Sequence, residues 1–202
     1  MRLPLSLTIL AMCASHLDAQ PSLGSWPQHS RERPHPSVVT PGASVSIAPP
    51  PDAVVLFNGT SLAKWTQADG TPAKWRVVDG AFEVVKGTGT LTTRDAFGDA
   101  QLHVEWMAPK PAVGTDQDRG NSGVFFGGTR YEVQVLDSYE SVTYADGQAG
   151  ALYGQYPPLV NASRPPGEWQ SFDIVFHRPR FDAAGKVVSP ARLTVFHNGI
   201  LV

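Results

Sequence analysis

From Asp52 to the end of the chain, no stretch of ten or more residues carries a capped apolar period of 3.6. Short alternating runs separated by turn pairs take its place, and this constrains the fold more than any other feature. KWRVVDGAFEVV (74–85) is two alternating runs joined at Asp79-Gly80, a pair suited to the positive φ values of a type I′ turn. AQLHVEWMA (100–108) places Leu102, Val104 and Trp106 on one face and His103 and Glu105 on the other. WQSFDIVFHR (169–178) alternates Phe172, Ile174 and Phe176 against Asp173, Val175 and His177. VVLFNG (54–59), TGTLTT (88–93), GVFFGG (123–128) and YEVQVLD (131–137) read as further short strands. The pattern predicts an all-β domain over residues 52–202, a β-sandwich or jelly roll. ARLTVFHNGILV (191–202) ends in an Asn198-Gly199 hairpin turn followed by three residues. A partner strand belongs after such a turn, and an unpaired edge is a liability. The expectation is therefore a C-terminally truncated fragment that lacks its last strands.

The first 51 residues read differently. MRLPLSLTILAMCASHLDAQ has a cation at Arg2, an apolar run from Leu3 to Ala14, and small residues before Gln20. This is the layout of a signal peptide over residues 1–19, cleaved after Ala19, and it implies a secreted or periplasmic protein. LAMC approaches a lipoprotein cleavage box, but Met12 is bulkier than the residue expected before the cysteine, which argues against a lipid anchor at Cys13. Cys13 is the single cysteine, so the mature chain would hold no disulfide and no thiolate ligand or nucleophile. Eight of the 18 prolines fall between Gln20 and Pro51, so residues 20–51 are predicted to be an exposed, disordered tether. His16, His29 and His35 match no familiar metal spacing. With a formal net charge of -2 the chain has no basic surplus, which argues against nucleic acid as a partner. No later apolar run is long enough to span a membrane.

Several polar residues interrupt the strands. Glu132, Gln134 and Leu136 share one face of YEVQVLD, and Tyr131, Val133, Val135 and Asp137 share the other. Glu132 and Gln134 either face water or line a partly dry concavity, where they would bind sugar hydroxyls, bind a metal or move protons. His103 and Glu105 pose the same choice, as a solvated pair or as ligands or a base with its orienting partner. Arg119 and Asn121 in DQDRGNSGVFF offer hydrogen-bond donors. Tyr153 and Tyr156, in GALYGQYPP, can stack on sugar rings or simply cover the end of a sandwich. His197 is expected to be exposed, and Asn161-Ala162-Ser163 is a glycosylation sequon.

Taken in order, LFNGTSLAKW (56–65), KWRVVDG (74–80), GTLTT (89–93), LHVEW (102–106), NSGVFF (121–126), YEVQVLD (131–137), GALYG (150–154) and GEW (167–169) resemble the 3-keto-disaccharide hydrolase family. That family is also described as 3-keto-glucoside lyases and 3-keto-2-hydroxyglucal hydratases. The resemblance spans about residues 53–202 and implies a concanavalin A-like β-sandwich, secreted or periplasmic, acting on glycosides whose C3 hydroxyl has become a ketone. Members usually continue past the Asn-Gly turn, through a His-Gly turn and an Arg-Asn pair, so the family's C-terminal histidine has no counterpart here.

The implied substrate is a carbohydrate, with no nucleotide or flavin involved. A C3 ketone acidifies the hydrogen at C2, and its removal gives an enolate that expels the C1 substituent before water adds. Such chemistry needs a base and a positive group or divalent cation at the enolate oxygen. Glu132, Glu105 and His103 are the candidate catalytic residues, with Glu105 and Glu132 also candidate metal ligands. Arg119, Asn121, Gln134 and Tyr153 are the candidate substrate contacts. A purely structural surface protein stays open, and so do two other readings. One is a non-catalytic carbohydrate-binding module. The other is a laminarinase-type endoglucanase, in which the string Glu132-Val-Gln134-Val-Leu-Asp137 would need a bulge to bring its two acids to one face.

Overall fold

The computed structural model describes residues 26–43 and 48–202. The signal-peptide reading of residues 1–19, and Cys13 with it, lies outside the described residues. The first half of the chain supplies β1 (Ser37–Val38), β2 (Trp65–Gln67), β3 (Arg76–Val78), β4 (Ala81–Glu83), β5 (Leu91–Thr93) and β6 (Ala100–Met107). The middle supplies β7 (Ser122–Phe126), β8 (Tyr131–Val135) and β9 (Val160–Asn161). The last part supplies β10 (Trp169–His177), β11 (Arg180–Phe181), β12 (Val187–Ser189), β13 (Arg192–His197) and β14 (Ile200–Leu201). Two single-turn 3-10 helices, Asp116–Asp118 and Ala145–Gly147, are the only helical elements among the described residues. None is long and apolar enough to cross a membrane.

The largest sheet is antiparallel, in the order β14-β13-β10-β6. Its register aligns Phe172 with Val104 and His197, and Ile174 with Leu102 and Val195. One face is therefore continuous apolar surface. The β7–β8 hairpin packs across it, bringing Val133 and Val135 against Trp106, Phe172, Ile174 and Val195. Phe126 and Tyr131, from the same hairpin, reach the Phe176 ring at 4.7 and 6.0 Å. Burial of each such side chain stabilises by about 1.5–3 kcal/mol, so this two-layer contact holds the sandwich together. The turn pairs behave as their sequence dictates. Asp79 and Gly80 have φ 49 and 77, and Asn198 and Gly199 have φ 52 and 79.

Three expectations need correction. VVLFNG forms no strand. Asn58 accepts hydrogen bonds from the Thr60 and Ser61 amides, curling the chain, while Phe57 packs edge-on to Phe82 at 4.9 Å. His197 is fully buried rather than exposed, because its position on β13 alternates with outward residues and faces Trp106 and Phe172. Of the described part of the tether, residues 26–43 are docked on the domain. Its β1 runs parallel to β9, and the Arg164 guanidinium donates to the Gly42 carbonyl. Prolines already hold such a segment extended, so little backbone entropy is lost when one edge pairs.

Candidate functional site

On β8, Val133 is fully buried against the core, so alternation turns Glu132 and Gln134 to the opposite face. β7 lies beside it with Phe125 opposite Glu132 and Gly123 opposite Gln134. On the other edge of β8, Leu152 bridges Val133, the Tyr153 amide donates to the Glu132 carbonyl at 3.0 Å, and the Gln134 amide donates to the Ala151 carbonyl at 3.0 Å. This antiparallel register sets Tyr153 directly across from Glu132 on the same face. One surface therefore carries Gly123, Phe125, Glu132, Gln134 and Tyr153, with Asn121 at its rim.

The glycine matters. A Cβ on Gly123 would collide with the Glu132 carboxylate, so the side chain lies over bare backbone. Glu132 is half-buried, and that burial raises its carboxyl above the ordinary range. Gln134 is fully buried beside it. Assigned from its hydrogen-bond network, the Gln134 amide donates to the Ser122 carbonyl at 2.8 Å and to the Glu132 carboxylate at 3.2 Å. Its other end meets the Gln117 amide at 2.8 Å. In this orientation the oxygen end of the Gln117 side chain lies 2.6 Å from the Thr143 hydroxyl, which donates to it. Asn121 donates to the Gln117 carbonyl at 2.9 Å. Glu132 is thus an enclosed carboxylate with a fixed amide neighbour.

Tyr153 extends the surface. Its hydroxyl lies 2.6 Å from that of Tyr144. Burial, with the Tyr153 hydroxyl adding to it, pushes the Tyr144 phenol above its usual range, so that hydroxyl stays protonated and remains a donor.

The other candidates lie elsewhere. His103 and Glu105 are on the outer face of β6, opposite Asp173 and Ser171 of β10, with the core between them and Glu132. His103 Nδ1 is 2.6 Å from the Asp173 carboxylate, and the group is exposed. The expectation that Glu105, His103 and Glu132 share a pocket is therefore corrected, since residues of odd number on β6 cannot reach the far side of the β7–β8 hairpin. For the same reason Glu105 and Glu132 cannot hold one cation. Among the described residues no three His, Cys, Asp or Glu side chains converge as a metal site.

Arg119 does not face the surface. Its guanidinium binds the buried Asp137 carboxylate at 2.5 and 3.1 Å and the Tyr139 carbonyl at 3.3 Å. Asn161, the sequon residue, is buried and donates to the Ser138 carbonyl at 2.8 Å. His197 shares 2.9 Å with Gln170, and burial, aided by the Arg164 charge, pushes its pKa down to about 3. Two cavities occur away from Glu132. A small polar one is lined by Asp99, His177, Arg178, Arg180 and Arg192, and one of about 400 Å³ is lined by Phe97, Tyr131, Phe176 and Phe181. In the polar one Asp99 is already engaged by the Arg178 amide at 3.0 Å and the Arg180 guanidinium at 2.7 Å, which makes it a structural cluster.

Gln117, Thr143 and Tyr144 were not singled out from sequence. Gln117 sits in a single 3-10 turn and Thr143 and Tyr144 in a loop, where no periodicity reports which side chain turns inward.

Comparison with known proteins finds relatives of the domain. The profile of the 3-keto-alpha-glucoside-1,2-lyase-like domain matches residues 52–202. A crystal structure from Parabacteroides distasonis, described as a "putative glycosyl hydrolase", superposes with a TM-score of 0.75 at 44% identity, over 84% of this chain and 72% of that one. That coverage exceeds what residues 52–202 supply, so the likeness extends ahead of Asp52. A second structure of the same description and organism, 22% identical with a TM-score of 0.53 over 73% of this chain and 69% of that one, shares the fold. No curated protein matches the chain.

Proposed function

Because this chain belongs to the 3-keto-alpha-glucoside-1,2-lyase-like family, we propose that its role in carbohydrate processing is the cleavage of 3-keto-glycosides, with Glu132 as the base. The observation that carries this is the environment of Glu132. It is the carboxylate on the polar face of β8, and burial shifts its pKa towards the working range of a general base. An exposed acid would be ionised but weakly basic. A fully buried one would stay protonated.

The chemistry follows from the substrate. The ketone at C3 makes the C2 hydrogen acidic, and Glu132 removes it. The electron pair closes a C1–C2 double bond as the C1–oxygen bond breaks, and the proton now on Glu132 is available to the departing oxygen. Water adding across the double bond completes net hydrolysis. Negative charge builds on the C3 oxygen in the transition state, and a hydroxyl donor aimed there lowers the barrier. In this reading Tyr153, across from Glu132 in the strand register and hydrogen-bonded to Tyr144, makes that donation. Asn121 supplies a donor at the rim. Gln134 holds the carboxylate.

The endoglucanase reading fares worse. It needs a second carboxyl beside Glu132, and Asp137 is turned inward and held by Arg119. The test is incubation of the folded protein with a 3-keto disaccharide, following release of free sugar. Release that depends on Glu132 supports the proposal. Binding of unoxidised glycans, with no turnover of the 3-keto substrate, would mark a binding module instead.

A further inference from the structure

The proline-rich segment ahead of the domain does more than tether it. His29 sits on the tyrosine pair, its ring centroid 4.3 Å from Tyr144 and 5.1 Å from Tyr153. Its backbone amide donates to the buried Asp146 carboxylate at 3.0 Å. Asp146 in turn accepts, at its carbonyl, the Gly154 amide at 2.9 Å. His29 adopts φ 59, in the left-handed region that few residues other than glycine enter.

The domain is shaped to receive the segment. A Cβ on Gly154 would collide with the Gln28 amide, so glycine beside Tyr153 leaves room for this neighbour. Arg31 pairs with Asp116, and its guanidinium lies 5.8 Å over the Tyr144 ring. Asp116 opens the turn that carries Gln117, the residue that meets Gln134. The segment therefore touches both loops that flank Glu132, and β1 anchors its far end.

We propose that the Pro27–Val38 segment is part of the sugar site, with His29 as a positioning residue that fixes the Tyr153 ring and hydroxyl across from Glu132. This rests on the reading of the Glu132 face as the site of 3-keto-glycoside cleavage. His29 itself touches no reacting atom. Its Nε2 is buried against Gly154, so the imidazole acts through packing rather than by proton transfer.

The test uses the full chain and three variants, His29→Ala, His29→Phe and Arg31→Ala. Misplacing a catalytic group by about 1 Å can lower turnover about 100-fold. His29→Ala is expected to lower kcat towards that extent with KM little changed. His29→Phe, which keeps a ring on the tyrosines, is expected to restore most of the loss. A loss of stability alone would lower the active fraction without that rescue. Arg31→Ala, at an exposed anchor, is expected to give a smaller loss in the same sense and serves if His29→Ala does not fold.

Amide hydrogen exchange gives a reading independent of activity. The Tyr153 and Gly154 amides are expected to exchange faster in His29→Ala and Arg31→Ala, with β10 unchanged. If the wild-type protein shows no turnover but these amides loosen, the proposed reaction fails while the positioning role stands. Wild-type kcat and wild-type exchange in the folded variants would overturn the inference.

Discussion

β6 and β8 invite direct comparison. Each presents two polar side chains at alternate positions, His103 and Glu105 on one and Glu132 and Gln134 on the other. Leu102, Val104 and Trp106 of β6 and Val133 and Val135 of β8 join the same core. The polar face of β6 is open, and there His103 lies 2.6 Å from the Asp173 carboxylate and 3.9 Å from that of Glu105, all of them exposed. The polar face of β8 is roofed by the Gln117 turn on one side and the Tyr144–Tyr153 loop on the other, so Gln134 is fully buried and Glu132 half-buried. Identical alternation thus gives a solvated surface in one place and a perturbed carboxylate in the other. Alternation fixes which residues share a face, and loops decide whether that face becomes a site.

The sharpest way to break the comparison is to make the same change on both strands. Glu132→Gln is expected to lower 3-keto-glycoside turnover by about 10²–10⁴-fold, whereas Glu105→Gln stays within about twofold of wild type, both measured by steady-state sugar release. Stability should separate a buried carboxylate pair from an exposed one almost as strongly. Arg119→Ala strands the buried Asp137 carboxylate and should destabilise by about 3–5 kcal/mol. Asp173→Ala removes an exposed partner of His103 and should cost less than about 1 kcal/mol. Urea unfolding measures both.

Gly123→Ala should lower kcat about 10–100-fold with little effect on KM, because the added methyl displaces the Glu132 carboxylate. An unchanged kcat would mean that the carboxylate's seat over β7 is unimportant.

The smallest effect concerns pH. Burial raises the folded-state pKa of Glu132, so the native state bears a penalty whenever that group is ionised. Its contribution to stability is fully present below the unfolded carboxylate pKa, about 4.3, and is lost as pH rises through the higher folded value. Glu132→Gln removes that penalty. It should therefore unfold at higher urea than wild type near pH 7, with the gap closing as pH falls towards 4.

Much of this was legible in the sequence. Trp106, Phe172 and Ile174 are assigned to the core by period alone, and Asp79-Gly80 and Asn198-Gly199 to their turns by the φ that each pair tolerates. Strand register puts Glu132, Gln134 and Tyr153 on one face, with Asn121 bonded to the Gln117 turn beside it. What was not legible depends on contacts distant in sequence. The burial of Asp137 follows from Arg119, and the docking of the proline-rich segment follows from Asp146, Asp116 and the space at Gly154. His103 and Glu105 have the residue types of a site, and only the layering of the sandwich shows them to be outside it.

The most direct measurement is proton exchange at C2 of a 3-keto-glycoside in deuterated water, followed by NMR. It reports base chemistry whether or not the glycosidic bond then breaks. Wild-type protein should speed the loss of the C2 hydrogen signal, or release sugar at a matching rate, and Glu132→Gln should abolish this while Glu105→Gln does not. Exchange by Glu132→Gln at the wild-type rate would contradict the assignment of Glu132 as the base.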